Sequence, residues 1–171
     1  MKVMKSFHSI AVLLTIAVVF FVSCGTTETA DELWTKVRTL QGQDKQDEAI
    51  LTLKKFLDNY PDDENAAEGR FMLADGYANV KKEYENAVVE YRRVILENPD
   101  LPLASKAQFM IGYIYANYVK EYDKARAAYL EFQEKYKDNS LSQAVAFELE
   151  YLGKNLDEIS ELKGITNPDD I

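Results

Sequence analysis

Residues 71–100, FMLADGYANVKKEYENAVVEYRRVILENPD, and residues 109–138, FMIGYIYANYVKEYDKARAAYLEFQEKYKD, are one unit written twice. Phe-Met, Tyr-Ala-Asn, Lys-Glu-Tyr, an alanine and a tyrosine coincide at an offset of 38 residues. The same step taken backwards puts Ala49 under Ala87, Leu53 under Tyr91, Phe56 under Val94 and Pro61 under Pro99, so there are three copies, the first more divergent. A period of this size marks stacked supersecondary units, each too small to bury its own apolar face.

Each copy resolves into two helices. In the second helix of the middle copy, Tyr84, Ala87, Val88, Tyr91, Val94 and Ile95 follow the spacing of an amphipathic helix, and Pro99 closes it because proline cannot extend a helix. Ala49, Ile50, Leu53, Phe56 and Pro61 repeat this in the first copy. In the third, Lys137 replaces the proline, which predicts a less sharp end. No segment alternates like a strand, so the expected fold is all-α.

The small and aromatic positions resemble the tetratricopeptide repeat: Leu73-Ala74, Tyr77, Tyr84, Ala87, Tyr91 and Pro99, then Ile111-Gly112, Tyr115, Tyr122, Ala125 and Tyr129. The resemblance implies a solenoid of three helical hairpins. Small residues stand where paired helices approach closely, and Tyr84, Tyr91, Tyr122 and Tyr129 pack beside them. The usual repeat has 34 residues; here one extra residue lies between Tyr77 and Ala87 and three between Pro61 and Leu73, all four expected in turns. Leu141 to Asn155 continues the pattern as a capping helix. The repeat domain with its cap is expected over residues 31–163, followed by an acidic tail, 164–171.

Upstream, Lys2 and Lys5 precede an apolar run from Ile10 to Val22. Its 13 positions are too few to span a membrane, which takes roughly 20, so residues 1–23 read as a signal peptide. Phe21-Val22-Ser23-Cys24 resembles a bacterial lipobox. That resemblance implies cleavage before Cys24, the chain's single cysteine, and its acylation, with Gly25 implying delivery to the outer membrane. Residues 24–30 then form the lipidated cysteine and a polar tether. Several acyl chains on one residue hold a protein to a membrane far more firmly than a single chain.

Losing Lys2 and Lys5 takes the formal charge from −9 to −11, which argues against nucleic acid as a partner. Losing His8 and acylating Cys24 leaves no histidine or free thiol for triads, thiol catalysis or ordinary zinc sites. There is no glycine-rich phosphate loop. Asp62-Asp63-Glu64 and Asp169-Asp170 sit in a turn and a tail, poor places for a paired-carboxylate site. A binding scaffold without cofactor or metal is expected, and not an enzyme.

The candidate surface follows from helix geometry. With Leu73, Ala74 and Tyr77 packed on the partner helix, the opposite side at 100° per residue carries Phe71, Asp75 and Ala78. The equivalents are Leu33, Val37 and Leu40 one repeat earlier, Phe109, Tyr113 and Ala116 one later, and Phe147 and Tyr151 in the cap. Asn79 and Asn117, at the edge, are placed to hydrogen-bond a peptide backbone. Two uses fit this stripe: a groove for a protein partner, or packing between neighbouring hairpins. Phe71, Asp75 and Tyr113 replace the lysine and asparagine of carboxylate-clamping repeats, which favours an apolar or extended protein segment as ligand.

An acidic, lipid-anchored repeat protein resembles the BamD-type lipoproteins of the outer-membrane barrel-assembly machinery. This implies a periplasm-facing location on the outer membrane and a barrel-assembly subunit among the partners. Those lipoproteins carry about five repeats, against three and a cap here. The repeat domain of the Tol-Pal-associated coordinator is also similar and fits the repeat count better, but it has an N-terminal coiled coil and no lipid. An accessory lipoprotein subunit of another envelope complex is a further reading.

Overall fold

The computed structural model describes residues 28–154, and among them the regular structure is entirely helical. The helices are α1 (Ala30–Gly42), α2 (Gln46–Asn59), α3 (Ala66–Gly76), α4 (Tyr84–Glu97), α5 (Pro102–Ile114), α6 (Tyr122–Lys135) and α7 (Ser142–Tyr151). Each packs chiefly against the helices before and after it, and α3 also touches α5. This is the three-hairpin solenoid the repeats predict, with α7 covering the last hairpin. The expected signal peptide, Cys24, most of the tether, the end of the repeat domain and the acidic tail lie outside the described residues. No helix among the described residues is long and apolar enough to cross a membrane.

The period is kept to the residue. Helices α2, α4 and α6 have 14 residues each and start at 46, 84 and 122. The third does not fray at Lys137. Its end repeats the earlier two, with the Tyr136 amide donating to the Phe132 carbonyl at 2.8 Å as Tyr60 does to Phe56 at 2.8 Å. The Leu141 amide then donates to Asn139 Oδ1 at 2.9 Å, as the Asn65 amide does to Asp63 Oδ1 at 2.9 Å beyond Pro61, so the same side-chain turn leads into the next hairpin with or without the proline.

The residue inserted between Tyr77 and Ala87 is not looped out in a turn. It widens the helix terminus into a π-helical turn at Tyr77–Lys81, and again at Tyr115–Val119. A single-residue insertion has this effect when the helix absorbs it instead of breaking. Each turn closes on a left-handed lysine, Lys82 at φ 58° and Lys120 at φ 64°, with the next amide donating to the Tyr77 or Tyr115 carbonyl at 2.9 Å. Asp44, at φ 58°, holds the same place in the first hairpin, so the left-handed corner also recurs every 38 residues.

Alanines 74, 87 and 125 are fully buried where helices cross, with Tyr91, Tyr129, Phe56 and Phe132 the largest fully buried side chains beside them. Gly112 makes the tightest of these approaches: a Cβ there would stand 2.4 Å from Tyr129 Cε1. Two clusters make up the core. One, built around Leu33, Ile50, Leu53 and Phe56, joins α1, α2 and one side of α3. The other runs from α3 to α7.

Candidate functional site

The structure divides the predicted stripe. Leu33 and Val37 are 0% exposed and belong to the core, not to a groove. As terminal helix, α1 has essentially one neighbour, α2, and turns its whole apolar face onto it. The equivalents of Leu73 and Ala74 there are Thr35 and Lys36, both exposed.

Phe71 and Phe109 do come together. Each is half-buried, and with Met110 and Leu141 they line a pocket of about 370 Å³ between α3, α5 and the turn into α7. Packing and lining are thus not alternatives here. Phe71 meets Tyr91 edge-on at 5.1 Å between centroids, and Phe109 lies 6.0 Å from Tyr129, while both rings still border the pocket. Lys106, Ser105 and Asn139 supply the polar rim. Asn139 is already engaged, donating to Ser105 Oγ at 3.0 Å, whereas Lys106 makes no ion pair with a described residue.

From Phe109 the aromatics continue through Tyr113, at 6.2 Å, to Tyr118, at 5.9 Å, and on to Tyr84, which stacks on Tyr118 at 4.9 Å. Tyr118 is exposed, stands on the second π-helical turn and was not expected at the site. Its repeat position is Val80, so periodicity gave it no aromatic signal. Met110 and Leu141 were also missed, because the pocket is made by the turn into α7, which a single-helix projection does not contain. Tyr122 is 40% exposed and borders Gly153, unlike the fully buried Tyr91 and Tyr129.

Tyr151 sits in the cap, half-buried, 4.6 Å from the Phe147 ring, with the Lys154 ammonium 5.0 Å above it. It is not among the residues lining the pocket that Phe71 and Phe109 share. Asn79 and Asn117 are exposed. The Asn117 amide donates to the Tyr113 carbonyl at 3.1 Å, and its side-chain oxygen accepts from no described residue.

Asp75 is partly buried and accepts a hydrogen bond from the Tyr91 hydroxyl. Desolvation raises its carboxyl above the ordinary 3.8, with the tyrosine bond opposing. Desolvation and the neighbouring carboxylate likewise push the Tyr91 hydroxyl upward, so it stays protonated as the donor. A raised folded-state value means that the folded protein still holds a proton the unfolded chain has released. The contribution of Asp75 to stability is therefore whole below the unfolded value and declines as pH rises through the folded one. Asp75→Asn keeps an oxygen for Tyr91 and removes the desolvated charge. In urea unfolding from about pH 4 to 7 the variant is expected to gain stability relative to wild type as pH rises, by up to about 1 kcal/mol at neutral pH. An advantage that shrinks with rising pH, or a loss at neutral pH, would contradict this account.

The tetratricopeptide-repeat family model matches residues 25–63 and 106–139, the first hairpin and the greater part of the third. The unmatched middle copy is tied to the third by the 38-residue offset. No curated protein matches the chain.

Proposed function

We propose that this tetratricopeptide-repeat protein, an interaction scaffold by its repeats, acts at the periplasmic face of the bacterial outer membrane, anchored through lipid on Cys24. There it holds a protein segment during assembly of the envelope, with outer-membrane protein assembly as the first reading. The carrying observation is the pocket shared by Phe71 and Phe109. It is apolar, open and framed by α3, α5 and the turn into α7, and it suits one or two apolar side chains of an extended segment. The lipobox-like segment supports the location, and the absence of histidine and free thiol after processing supports binding over catalysis. The Tol-Pal-type coordinator is the second reading, favoured by the three-repeat length.

Purification in mild detergent with bound partners tests both. A co-purified barrel protein supports assembly, and Tol or Pal components support the coordinator. The double variant Phe71→Ser/Phe109→Ser is expected to lose the partner while remaining helical and cooperative, at a cost of about 2 kcal/mol per ring because each is only half-buried. Collapse of the fold would reduce the pocket to packing. Cys24→Ser is expected to release the protein from membranes, and retention on them would defeat the anchor.

A further inference from the structure

Two places related by the repeat differ in what fills them: one where α3 meets α4, the other over α5 between α4 and α6. In the first, Arg70 and Glu90 are each 9% exposed, and Arg70 Nη1 lies 3.5 Å from Glu90 Oε2 while its Nε lies 2.7 Å from Glu97 Oε2. This charged cluster fills the space. One repeat later the same positions hold Gln108, Ala128 and Lys135, and Val89 becomes Ala127. The filling is gone, and a cleft of about 290 Å³ remains.

Its floor is Ile111, Ala128 and the Tyr115 ring, with Leu96, 79% exposed, at the lip. Arg92, Lys124 and Lys135 stand around it in a chain whose net charge is −9. Lys124 pairs with Glu121, and Lys135 pairs at 2.7 Å with Glu131, which also lines the cleft. These pairs are solvent-exposed, so each is worth little and yields readily to a better-placed carboxylate. Arg92 makes no ion pair with a described residue. Gln108, 3% exposed, donates Nε2 to the Ala128 carbonyl at 2.9 Å and to Glu131 at 3.3 Å, while its own carbonyl oxygen accepts from no described residue.

We propose that this α4–α6 cleft is a second docking site, separate from the Phe71–Phe109 pocket, for a segment of a partner protein in which a glutamate or aspartate adjoins an aliphatic side chain. The first cleft shows what the fold accepts there, namely carboxylate-bearing side chains over an apolar floor. In the second, Ala128 and Lys135 replace Glu90 and Glu97, so Glu131 is the one carboxylate among lining residues that include Arg92, Lys124 and Lys135. An incoming carboxylate takes the space that the Glu90 side chain fills one repeat earlier and is held by Arg92, Lys124 and Lys135. The aliphatic neighbour covers Ile111 and Ala128, and a backbone amide donates to Gln108.

The probe is a blocked peptide of alternating leucine and glutamate, with lysine replacing glutamate in the control, titrated into the full chain and followed by amide chemical shifts. Saturable shifts confined to α4, α5 and α6 are expected, weakening with salt as exposed charge pairs do. Gln108→Arg/Ala128→Glu/Lys135→Glu rebuilds the filling of the first cleft. It is expected to keep the melting temperature and weaken the peptide by at least about tenfold. Arg92→Glu, on an exposed position, is expected to weaken it similarly should the triple variant not fold. Equal binding by wild type and both variants, equal binding of the lysine control, or no saturation at several millimolar overturns the proposal. So does dodecanoate binding in the cleft where the peptide does not. A gain of about tenfold for the peptide in Asp169→Asn/Asp170→Asn would overturn it too, by making the chain's own acidic segment the occupant.

Discussion

Gly112→Ala is expected to lower the free energy of unfolding by about 2–3 kcal/mol, the upper part of the range for one surplus methyl in a packed core. The new Cβ would meet the Tyr129 ring at 2.4, 2.6 and 2.9 Å, distances that real contacts do not reach. A flexible obstacle would swing aside. Here the ring is 0% exposed, flanked by Phe109, and its hydroxyl donates to Glu148 Oε2 at 3.3 Å on α7. Moving it disturbs both the α5–α6 crossing and the attachment of the cap. Urea unfolding should show a lower midpoint with little change in slope. Gly112→Ala/Tyr129→Leu should recover part of the loss, because the shorter side chain leaves room for the methyl. Gly42→Ala is the control: nothing lies within 4 Å of its Cβ, so it should gain about 0.5 kcal/mol from the better helix former. An unchanged midpoint for Gly112→Ala would refute the close approach.

The hairpins were legible in the sequence because the period that places Ala87 over Ala125 and Tyr91 over Tyr129 is enforced by packing, and packing is what the structure repeats. The same argument misplaced Leu33 and Val37. Periodicity transfers a residue's position but not its neighbours, and a terminal helix lacks the neighbour that would have defined the other face. The inserted residue after Tyr77 was visible as a count, yet a count does not distinguish a longer loop from a wider helical turn. The left-handed corner at Lys82 carries no glycine to announce it. For the candidate site, Phe71 and Phe109 were readable from spacing alone. Met110, Leu141 and Tyr118 were not, since the pocket depends on how the turn before α7 meets α5.

The two buried tyrosines show how equivalent positions acquire different duties. Tyr91 finds its acceptor, Asp75, within its own hairpin. The position equivalent to Asp75 one repeat later is Tyr113, and Tyr129 instead reaches Glu148 on the cap. A polar group inside the hairpin has been exchanged for a tie between hairpin and cap. The exchange also converts that part of the first-helix face from carboxylate to aromatic, which extends the apolar surface around Phe109.

Arg70→Gln alone is expected to cost about 3 kcal/mol, because removing one member of a buried charged cluster strands the other. Glu90 is 12% exposed at its side chain and would keep only Arg93, at 3.2 Å and itself 52% exposed, which holds the loss to the lower end of the usual range. The repeat supplies its own rescue. Arg70→Gln/Glu90→Ala/Glu97→Lys transplants the residues of the second cleft into the first, leaving no stranded carboxylate. That triple variant should regain at least half of the lost stability, since replacing a whole buried ionic cluster is often neutral where breaking it is not. It should also open a cleft over α3 that binds the leucine–glutamate peptide, with new amide shifts in α2 and α4. A triple variant as unstable as Arg70→Gln would show that Arg70 acts mainly through its packed methylenes, and the charge argument would fall.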